Sequence, residues 1–330
     1  MLSRTKEFWE TLRGERLFIT GGTGFFGRWL LESFLWANQQ LHLKAEAVFL
    51  SRDPERFKKI SPLATHPSIS FHKGDVRNFS LPEGSFSHLI HAATEASDQL
   101  NRENPSLMLE TIVEGTKRTL ELAEKSGTKK LLFISSGAVY GRQPSNLTHI
   151  PEDYKGVPEE KVSAYAEGKR AAEKLVIACH KKSSIETKIA RCFAFVGPYL
   201  PLSTHFAIGN FIQDLLKKEP IRIKGDGTPY RSYLYAAELA VWLWTLLYKG
   251  TAGEIYNVGS SEDLTIKGLA EKVAQEGEKI PVIIETPLTP GKAVERYVPS
   301  VKKIERDLGL RQEISLNSGI RKTVQWAKNL

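Results

Sequence analysis

Short apolar runs alternate with longer amphipathic segments along the first part of the chain. The apolar runs, rich in Val, Ile, Leu and Phe, have the length of buried strands. They predict six strands, at 16–20, 45–50, 69–72, 88–91, 130–135 and 187–192. The amphipathic segments between them predict helices, notably at 24–36, 105–125 and 163–182. Such alternation is typical of an α/β fold in which helices cover both faces of a doubly wound parallel sheet.

The pattern changes after Gly197-Pro198, where loops rich in Pro and Gly separate shorter elements. Helices are predicted at 205–218, 236–248, 300–308 and 316–328, and strands at 221–223 and 254–258. We therefore expect a first domain over 1–195 and a smaller α/β lobe over 196–330. Segments within about 232–260 are expected to return to the sheet of the first domain.

Charge adds little to this picture. The chain has 330 residues and a formal net charge of +8 at pH 7. Such an excess favours phosphate-bearing ligands, although an ordinary basic surface has the same composition. The pairs Lys129-Lys130 and Lys181-Lys182 are isolated beside apolar runs and form no basic stripe. We therefore expect no nucleic-acid partner.

Neither a membrane anchor nor a metal site is predicted. The longest apolar stretch, 236–248, is too short to span a bilayer and contains Glu238. The first ten residues carry charges and lack the apolar run of a secretory signal. The two cysteines, Cys179 and Cys192, have no metal-ligand spacing. Reduced thiols and a cytoplasmic location are the simplest expectation.

A glycine-rich turn follows the first predicted strand. Gly21, Gly24 and Gly27 have GxxGxxG spacing between that strand and the next predicted helix. Glycines permit a sharp turn, a close approach of the backbone to a pyrophosphate, and tight packing of the helix on the sheet. The N–H groups at the helix N-terminus attract phosphate. This context predicts a Rossmann-type NAD(P) site in 1–195. Its expected contacts are Gly21, Thr23, Gly24, Phe25, Phe26, Gly27 and Arg28.

The residues after the second predicted strand bear on which nucleotide binds. An acidic residue there would bind the ribose 2′-hydroxyl of NAD, whereas arginine accommodates the 2′-phosphate of NADP. Ser51 and Arg52 follow the strand directly, and Arg28 lies near enough in sequence to assist, so the pattern favours NADP. Asp53, one residue further on, keeps NAD as the alternative.

Tyr165 and Lys169 form a YxxxK pattern, and their i, i+4 spacing places both side chains on one face of a predicted helix. A tyrosine pKa of about 10 is too high for a base at neutral pH. A nearby ammonium and a cationic nicotinamide ring would both lower this pKa. Tyr165 would then take a proton from a substrate hydroxyl, or return it to a carbonyl. Ser136 ends the fifth predicted strand, where ligands bind in such sheets, and would hydrogen-bond the reacting oxygen.

With these motifs the chain resembles the extended short-chain dehydrogenases/reductases of the nucleotide-sugar epimerase/dehydratase group, over nearly its whole length. Ser136, Tyr165 and Lys169 match the family's catalytic serine, tyrosine and lysine. Gly74-Asp75-Val76 resembles its adenine-contacting step, in which Asp75 would accept from the adenine amino group. His91-Ala92-Ala93 resembles the strand end behind the cofactor. The resemblance implies cofactor contacts from Asp75, Val76, Ala92, Ala93, Tyr165 and Lys169.

The resemblance extends to the predicted lobe. Residues 225–232 resemble the family's GDGxxxR segment, whose arginine, Arg231, would bind the substrate diphosphate. Arg296 falls where the family often has a second such arginine, and Asn210 where it often contacts the nucleotide. The implied substrate is a nucleoside-diphosphate sugar, with contacts from Ser136, Asn210, Arg231 and Arg296. Glu95, just beyond the fourth predicted strand, is a further candidate contact to the sugar. The resemblance also implies a homodimer formed through helices 105–125 and 163–182.

Three positions depart from the family pattern. Gly137-Ala138 stand where dehydratases carry an Asp-Glu pair, which argues against 4,6-dehydration. Ala194 replaces the asparagine of the family's Arg-x-Phe-Asn segment and removes one expected substrate contact. Ser51-Arg52 is unusual for the epimerases, which mostly hold NAD.

Two enzymatic functions remain open from the sequence. A 4-keto-sugar reductase would use NADPH and release NADP, whereas a 4-epimerase would oxidise C4 and return the hydride to the other face. A nucleotide-sugar decarboxylase is a further alternative, although Gly137-Ala138 offer no polar group beside the serine. A non-catalytic dinucleotide sensor of the same fold is the remaining alternative.

Overall fold

The computed structural model describes residues 2–94, 98–158, 162–204, 206–289, 291 and 293–329. The chain divides into two compact units. The first comprises Met1–Val139, Pro158–Arg191 and Ala240–Tyr256, and the second Tyr140–Val157, Cys192–Leu239 and Asn257–Leu330. The expectation that 1–195 binds the cofactor and 196–330 the substrate concerns ligands and stays a prediction.

The described residues form strands and helices that alternate through most of the chain. The strands are β1 Arg16–Thr20, β2 Glu46–Ser51, β3 Ile69–Lys73, β4 His88–His91, β5 Lys130–Ser136, β6 Glu186–Cys192, β7 Phe195–Val196, β8 Ile221–Ile223, β9 Tyr230–Ser232, β10 Leu234–Tyr235, β11 Ile255–Val258, β12 Asp263–Thr265, β13 Val282–Ile284 and β14 Arg296–Tyr297. The helices are α1 Leu2–Trp9, α2 Phe25–Leu41, α3 Pro54–Ile60, α4 Asp98–Glu103, α5 Pro105–Lys125, α6 Ala164–Lys182, α7 Ala207–Leu216, α8 Ala236–Lys249, α9 Ile266–Ala274, α10 Lys302–Leu308 and α11 Leu316–Ala327.

A seven-stranded sheet in the order β11-β6-β5-β4-β1-β2-β3 forms the first unit's centre. Neighbouring strands from β3 to β5 pair in parallel. The predicted doubly wound α/β fold is thereby confirmed. The strand order reverses between β1 and β4, and ligands of such sheets bind at this switch point, beyond the carboxyl ends of the strands.

Apolar side chains on both faces of this sheet explain why its strands appear as continuous apolar runs. Phe18, Leu89 and Phe133 are fully buried on three neighbouring strands. On one side the sheet is covered by α5 and α6, which pack closely because Gly168 brings the backbone of α6 against Ile112 of α5. This packing determines where the side chains at the start of α6 lie.

The second unit is built from small sheets and short helices. β9 lies between β12 and β14, while β7 pairs with β10 and β8 with β13. Helix α7 packs against α9, and both contact α11. Several of these strands have only two or three residues, so they carry no hydrophobic period. Of the strands that form these small sheets, local sequence patterns therefore predict only β8.

Candidate active site

Two glycines of the turn after β1 are required by the protein's own packing. Gly21 adopts a φ of +74°, and a Cβ there would lie 2.6 Å from the carbonyl carbon of Ala92 at the end of β4. A Cβ on Gly27, in the first turn of α2, would lie 2.3 Å from the Cα of Gly22. These glycines let the turn approach β4 and let α2 pack on the turn.

Gly24 is different, because nothing in its own surroundings requires a glycine. Its φ of −82° is open to any residue. Within the described part of the chain, a Cβ there would meet only the carbonyl oxygen of Gly21, at 3.5 Å. Gly24 is also the N-cap of α2 and, as a glycine, makes no side-chain cap to that helix. An open space at such a helix N-terminus fits a dinucleotide pyrophosphate, which accepts hydrogen bonds from the first N–H groups of a helix and is attracted by the helix dipole.

The residues after β2 are mostly engaged within the protein. Ser51 is buried, and its Oγ accepts from the backbone N–H of Asp53 at 3.2 Å. The Asp53 carboxylate caps α3 by accepting from the N–H of Arg56 at 3.0 Å. Arg28 lies over the ring of Phe57, 5.4 Å from its centroid. Arg52 is exposed at the same strand end.

Asp75 follows β3 and is held by its neighbour Arg77. The Arg77 side chain donates two hydrogen bonds to the Asp75 carboxylate, at 2.9 and 3.2 Å, and the Arg77 backbone N–H donates a third. The hydrogen bonds from Arg77 lower the pKa of Asp75, so the carboxylate is a fixed anion. Val76 packs against Gly115 of α5.

A hydroxyl at the end of β1 organises the end of β4. Thr20 Oγ1 accepts from the N–H groups of Ala92 and Ala93, at 3.1 and 3.0 Å, and contacts His91 Nδ1 at 2.7 Å. His91 Nε2 lies 3.1 Å from Thr116 Oγ1. Burial, and secondarily the charge of Lys169, lower the pKa of His91 to about 3. The sequence analysis did not identify Thr20 and used His91 only as part of a motif.

Lys169 is the most deeply buried of the candidate catalytic residues. It is 3% exposed, and its Nζ donates to the carbonyl oxygen of Ile134 at 2.7 Å and to Thr94 Oγ1 at 3.0 Å. The ammonium lies 4.9 Å from the centroid of the Phe133 ring and 5.9 Å from that of Tyr165. The structure thus brings Lys169 and Tyr165 together on α6, as their spacing predicts.

Tyr165 lies in the first turn of α6. The Ser163 side chain caps this helix by accepting from the N–H of Ala166 at 3.3 Å. The backbone N–H of Tyr165 itself donates to Asn101 Oδ1 at 3.0 Å. The Tyr165 side chain is partly exposed, whereas Lys169, one turn later, is buried. The phenol can therefore reach a ligand while the ammonium remains inside.

Ser136 is the last residue of β5. Its Oγ accepts from the backbone N–H of Ala138 at 3.2 Å. Behind it, Ser135 Oγ donates to Glu173 of α6 at 2.5 Å. Arg170 Nε donates to the carbonyl oxygen of Val139 at 2.7 Å. These contacts join the strand end that carries Ser136 to the helix that carries Tyr165 and Lys169.

In the second unit, Arg231 and Arg296 lie on opposite faces of the three-stranded sheet. Arg296 is in register with Tyr230, and Tyr297 with Arg231, while successive residues of a strand alternate between faces. Arg296 ion-pairs with Asp263 at 2.5 Å and lies 3.9 Å from the ring centroid of Tyr230. The structure therefore does not place the two predicted diphosphate arginines side by side.

Two predicted substrate contacts remain. Asn210 is partly buried in α7. Glu95 lies outside the described residues. Among the residues that the structure describes, no group of three or more His, Cys, Asp or Glu side chains could hold a metal ion. No described helix is both long enough and apolar enough to cross a membrane.

Comparison with known proteins agrees with this geometry. The model of the NAD dependent epimerase/dehydratase family matches residues 17–259. The chain is 30% identical to UDP-glucuronic acid decarboxylase 3 of Arabidopsis thaliana, over 92% of this chain and 86% of that protein. It is 27% identical to UDP-glucuronate 4-epimerase of Thermodesulfobacterium geofontis, over 94% and 95%.

Solved structures show the same architecture. The structure of Thermus thermophilus UDP-glucose 4-epimerase in complex with NAD superposes with a TM-score of 0.78 and 25% identity, covering 95% of this chain and 99% of that chain. The family match spans the glycine turn, the end of β4 and the Tyr165–Lys169 pair. The chain therefore belongs to the NAD dependent epimerase/dehydratase family.

Proposed function

We propose that the protein transfers a hydride at C4 of a nucleoside-diphosphate sugar, with Tyr165 as the acid/base. The observation that carries this proposal is the ammonium of Lys169, held inside the protein 5.9 Å from the Tyr165 ring. Such a charge stabilises a phenolate and lets tyrosine exchange protons near neutral pH. Bound at the glycine turn, NAD would supply the hydride acceptor and donor.

Each catalytic side chain has a separate role in this proposal. Tyr165 removes the proton from the C4 hydroxyl and returns one to the C4 carbonyl when the reaction reverses. Ser136, with its Oγ oriented by the N–H of Ala138, hydrogen-bonds the same oxygen. Lys169 keeps a positive charge beside the phenol. Gly24 and the N-terminus of α2 hold the pyrophosphate of the cofactor.

We propose NAD as the bound cofactor, which departs from the preference for NADP that Ser51 and Arg52 suggest. The NAD complex of the Thermus epimerase supports this choice. Ser51 is buried and already accepts from the N–H of Asp53, and Arg28 lies over Phe57. Arg52 remains the residue that favours NADP. Identifying the nucleotide released on denaturation, and titrating emptied protein with NADH and NADPH, tests the choice.

Between the two hydride-transfer functions, we propose the 4-epimerase over the 4-keto-sugar reductase. An epimerase oxidises and reduces the same carbon, so it retains its cofactor through the cycle. The 4-epimerases among the relatives and solved structures support this assignment. Stoichiometric NAD that survives purification supports it as well, whereas an empty protein that binds NADPH more tightly than NADH contradicts it.

Decarboxylation is the second candidate, because Arabidopsis UDP-glucuronic acid decarboxylases are among the relatives. A C4 ketone produced by the same Tyr165 chemistry would make a carboxylate at C5 labile. Against it, Gly137 and Ala138 place no polar side chain beside Ser136. Incubation with UDP-glucuronate separates the outcomes, because an epimerase yields an isomeric UDP-uronate, whereas a decarboxylase releases carbon dioxide and leaves a UDP-linked pentose.

For the substrate we propose Arg231 as the main diphosphate contact. Its planar fork of donors suits phosphate oxygens. Arg296 is already paired with Asp263 and stacked on Tyr230, so we assign it a smaller part. Asn210 and Glu95 stay predicted contacts. In this assignment, 1–195 binds the cofactor and 196–330 the nucleotide sugar.

The assembly and location follow from the same reasoning. We propose a homodimer formed through α5 and α6, whose apolar residues Leu109, Val113 and Leu175 remain only half-buried in the single chain. A monomer by light scattering at micromolar concentration would contradict it. Cys179 and Cys192 are both buried and form no disulfide, which favours a reducing, cytoplasmic compartment.

The decisive test of catalysis is the variant Tyr165→Phe. It removes the acid/base hydroxyl and leaves the ring that packs near Lys169. We expect cofactor binding to persist and turnover of UDP-hexose or UDP-hexuronate to fall by about 10²-fold to 10⁴-fold. If the protein is instead a dinucleotide sensor, wild type shows no turnover, and Tyr165→Phe leaves its NAD-dependent responses unchanged.

A further inference from the structure

We infer that Thr94 is a positioning residue for Lys169 and that it fixes the ammonium in the place where it acts on Tyr165. This inference rests on the proposed function of the Tyr165–Lys169 pair. Its basis is a hydrogen bond of 3.0 Å from Lys169 Nζ to Thr94 Oγ1. The YxxxK pattern does not identify Thr94, since 75 residues separate it from Lys169.

The orientation of the Thr94 hydroxyl is determined by its own strand end. Thr94 Oγ1 donates its hydrogen to the carbonyl oxygen of Ala93 at 2.7 Å. The oxygen lone pairs are therefore directed to accept a hydrogen bond from a cation. The N–H of Ala93 donates to Thr20 Oγ1 on the neighbouring strand. The peptide that orients the Thr94 hydroxyl is itself held, because its own N–H, that of Thr94, donates to the carbonyl oxygen of Ala92 at 3.1 Å.

The second acceptor for Lys169 lies on a different strand. Ile134 of β5 offers its carbonyl oxygen at 2.7 Å. Strands β4 and β5 are paired in parallel, with His91 in register with Phe133. Two acceptors, one in the segment that follows β4 and one in β5, define the position of the ammonium better than one. Without the Thr94 hydroxyl, the flexible lysine stem has more freedom to move the charge relative to Tyr165.

Among the titratable groups that the structure describes near Lys169, Tyr165 is the one whose ionisation Thr94 would affect. His91 stacks on Phe133, and its pKa is lowered to about 3, so it is neutral through the working range. The Glu173 carboxylate, one turn further along α6, is occupied by Ser135 and Arg191. A change in the position of the Lys169 charge should therefore affect mainly the phenol.

The test compares Thr94→Val with Thr94→Ser. Valine keeps the shape and removes the hydroxyl, whereas serine keeps the hydroxyl. We expect Thr94→Val to lower kcat by about tenfold, since it removes a hydrogen bond to a charged group. We also expect the acidic limb of the kcat profile for alcohol oxidation to move to higher pH, with KM for the nucleotide sugar unchanged. Thr94→Ser should restore both values.

Thr128→Val is the matched control. Thr128 is buried, whereas Thr94 is partly buried, and the Thr128 hydroxyl donates to the carbonyl oxygen of Phe86 at 2.8 Å. The control should lose stability without any shift of the pH profile. A Thr94→Val enzyme with the wild-type kcat and pH profile overturns the inference. So does a Thr94→Ser enzyme as impaired as Thr94→Val.

A second readout separates this inference from the proposed function. In protein labelled with ¹³C at the tyrosine Cζ atoms, the Tyr165 signal is identified as the one that is missing from the spectrum of Tyr165→Phe. Its chemical shift reports ionisation of the Tyr165 phenol without any substrate. With NAD bound, its titration midpoint should rise in Thr94→Val. If no nucleotide sugar turns over, the function fails, and this signal still tests Thr94. If sugars turn over and the midpoint does not move, only the inference fails.

Discussion

Arg191 of β6 and Glu173 of α6 form a two-point ion pair behind the candidate active site. Arg191 Nη2 lies 2.7 Å from Glu173 Oε2, and Nε lies 3.0 Å from Oε1. The side chains are only 12% and 6% exposed. Ser135 Oγ, next to Ser136, donates to the same carboxylate. The pair therefore fixes α6 against two strands, one turn beyond Lys169.

Breaking this pair should destabilise the protein strongly. Arg191→Met leaves the Glu173 charge buried without its partner, at a cost of about 3 kcal/mol in the free energy of unfolding. Urea unfolding monitored by circular dichroism measures it. The double variant Glu173→Met with Arg191→Met removes both charges and should recover part of the loss.

An exposed pair provides the control. Arg13 and Glu10 form an ion pair at 2.6 Å, with side chains 50% and 43% exposed. Glu10→Gln should change stability by less than about 1 kcal/mol. If Arg191→Met costs no more than this control, the buried pair does not hold α6 in place.

The central strands of the sheet were predictable because they are buried on both faces. Apolar runs at 16–20 and 88–91 coincide with β1 and β4. The helix predicted at 105–125 is also confirmed, since the Asn104 side chain caps it and Pro105 suits its first turn. Helix α2 extends past the predicted end at Trp36 to Leu41, because Asn38 stays buried and bonds back to Ala45.

The residues that contact the candidate catalytic side chains were harder to predict from the sequence. The spacing of Tyr165 and Lys169 indicates a shared helix face, and this is a local property. Thr94 contacts Lys169 only because β4 lies beside β5 in the folded sheet. Likewise, the short strands β9 and β14 join residues 230 and 296, and no local pattern predicts that pairing.

Gly24 and Gly27 should respond differently to alanine. Gly24→Ala adds a Cβ into open space, so the protein should fold normally and lose cofactor affinity, because the Cβ would occupy the pyrophosphate position. Gly27→Ala places the Cβ 2.3 Å from Gly22 Cα and should cost about 1–3 kcal/mol of stability. Thermal unfolding without cofactor, together with NAD titration, separates the two effects.

The opposite result would remove the argument for a phosphate at this helix. If Gly24→Ala binds NAD as tightly as wild type, the open space at Gly24 is not the pyrophosphate position. Gly225→Ala is a useful control, since a Cβ there meets no described atom within 4 Å, and it lies in the second unit. It should leave NAD affinity unchanged.

Mutation of Arg231 and mutation of Arg296 should weaken diphosphate binding to different extents. Arg231→Ala should weaken binding of a nucleoside diphosphate by about 10-fold to 100-fold, the loss of a charge-assisted contact. Arg296→Ala frees Asp263 and should have a smaller effect on that affinity. Calorimetric titration with UDP measures both. Equal losses in the two variants would mean that both arginines reach the diphosphate despite lying on opposite faces of the sheet.

Two buried histidines should make the protein less stable in mild acid. Burial lowers the pKa of His88 to about 4 and that of His91 to about 3. In the unfolded chain both have a pKa of about 6.5, so only the unfolded state gains protons as the pH first falls below this value. Stability is therefore greatest above pH 6.5 and is lost progressively as the pH falls towards 4.

The size of this loss is measurable. Between pH 7 and 5, each histidine should lower the free energy of unfolding by about 2 kcal/mol. His88→Gln removes one titrating group while keeping a polar side chain next to Ser87, which contacts His88 Nδ1 at 2.9 Å. Although the variant starts less stable, its unfolding free energy should change less between the two pH values. The exposed His66 is the control, and His66→Gln should retain the full wild-type slope. An unchanged slope in His88→Gln would show that protonation of His88 does not drive the loss.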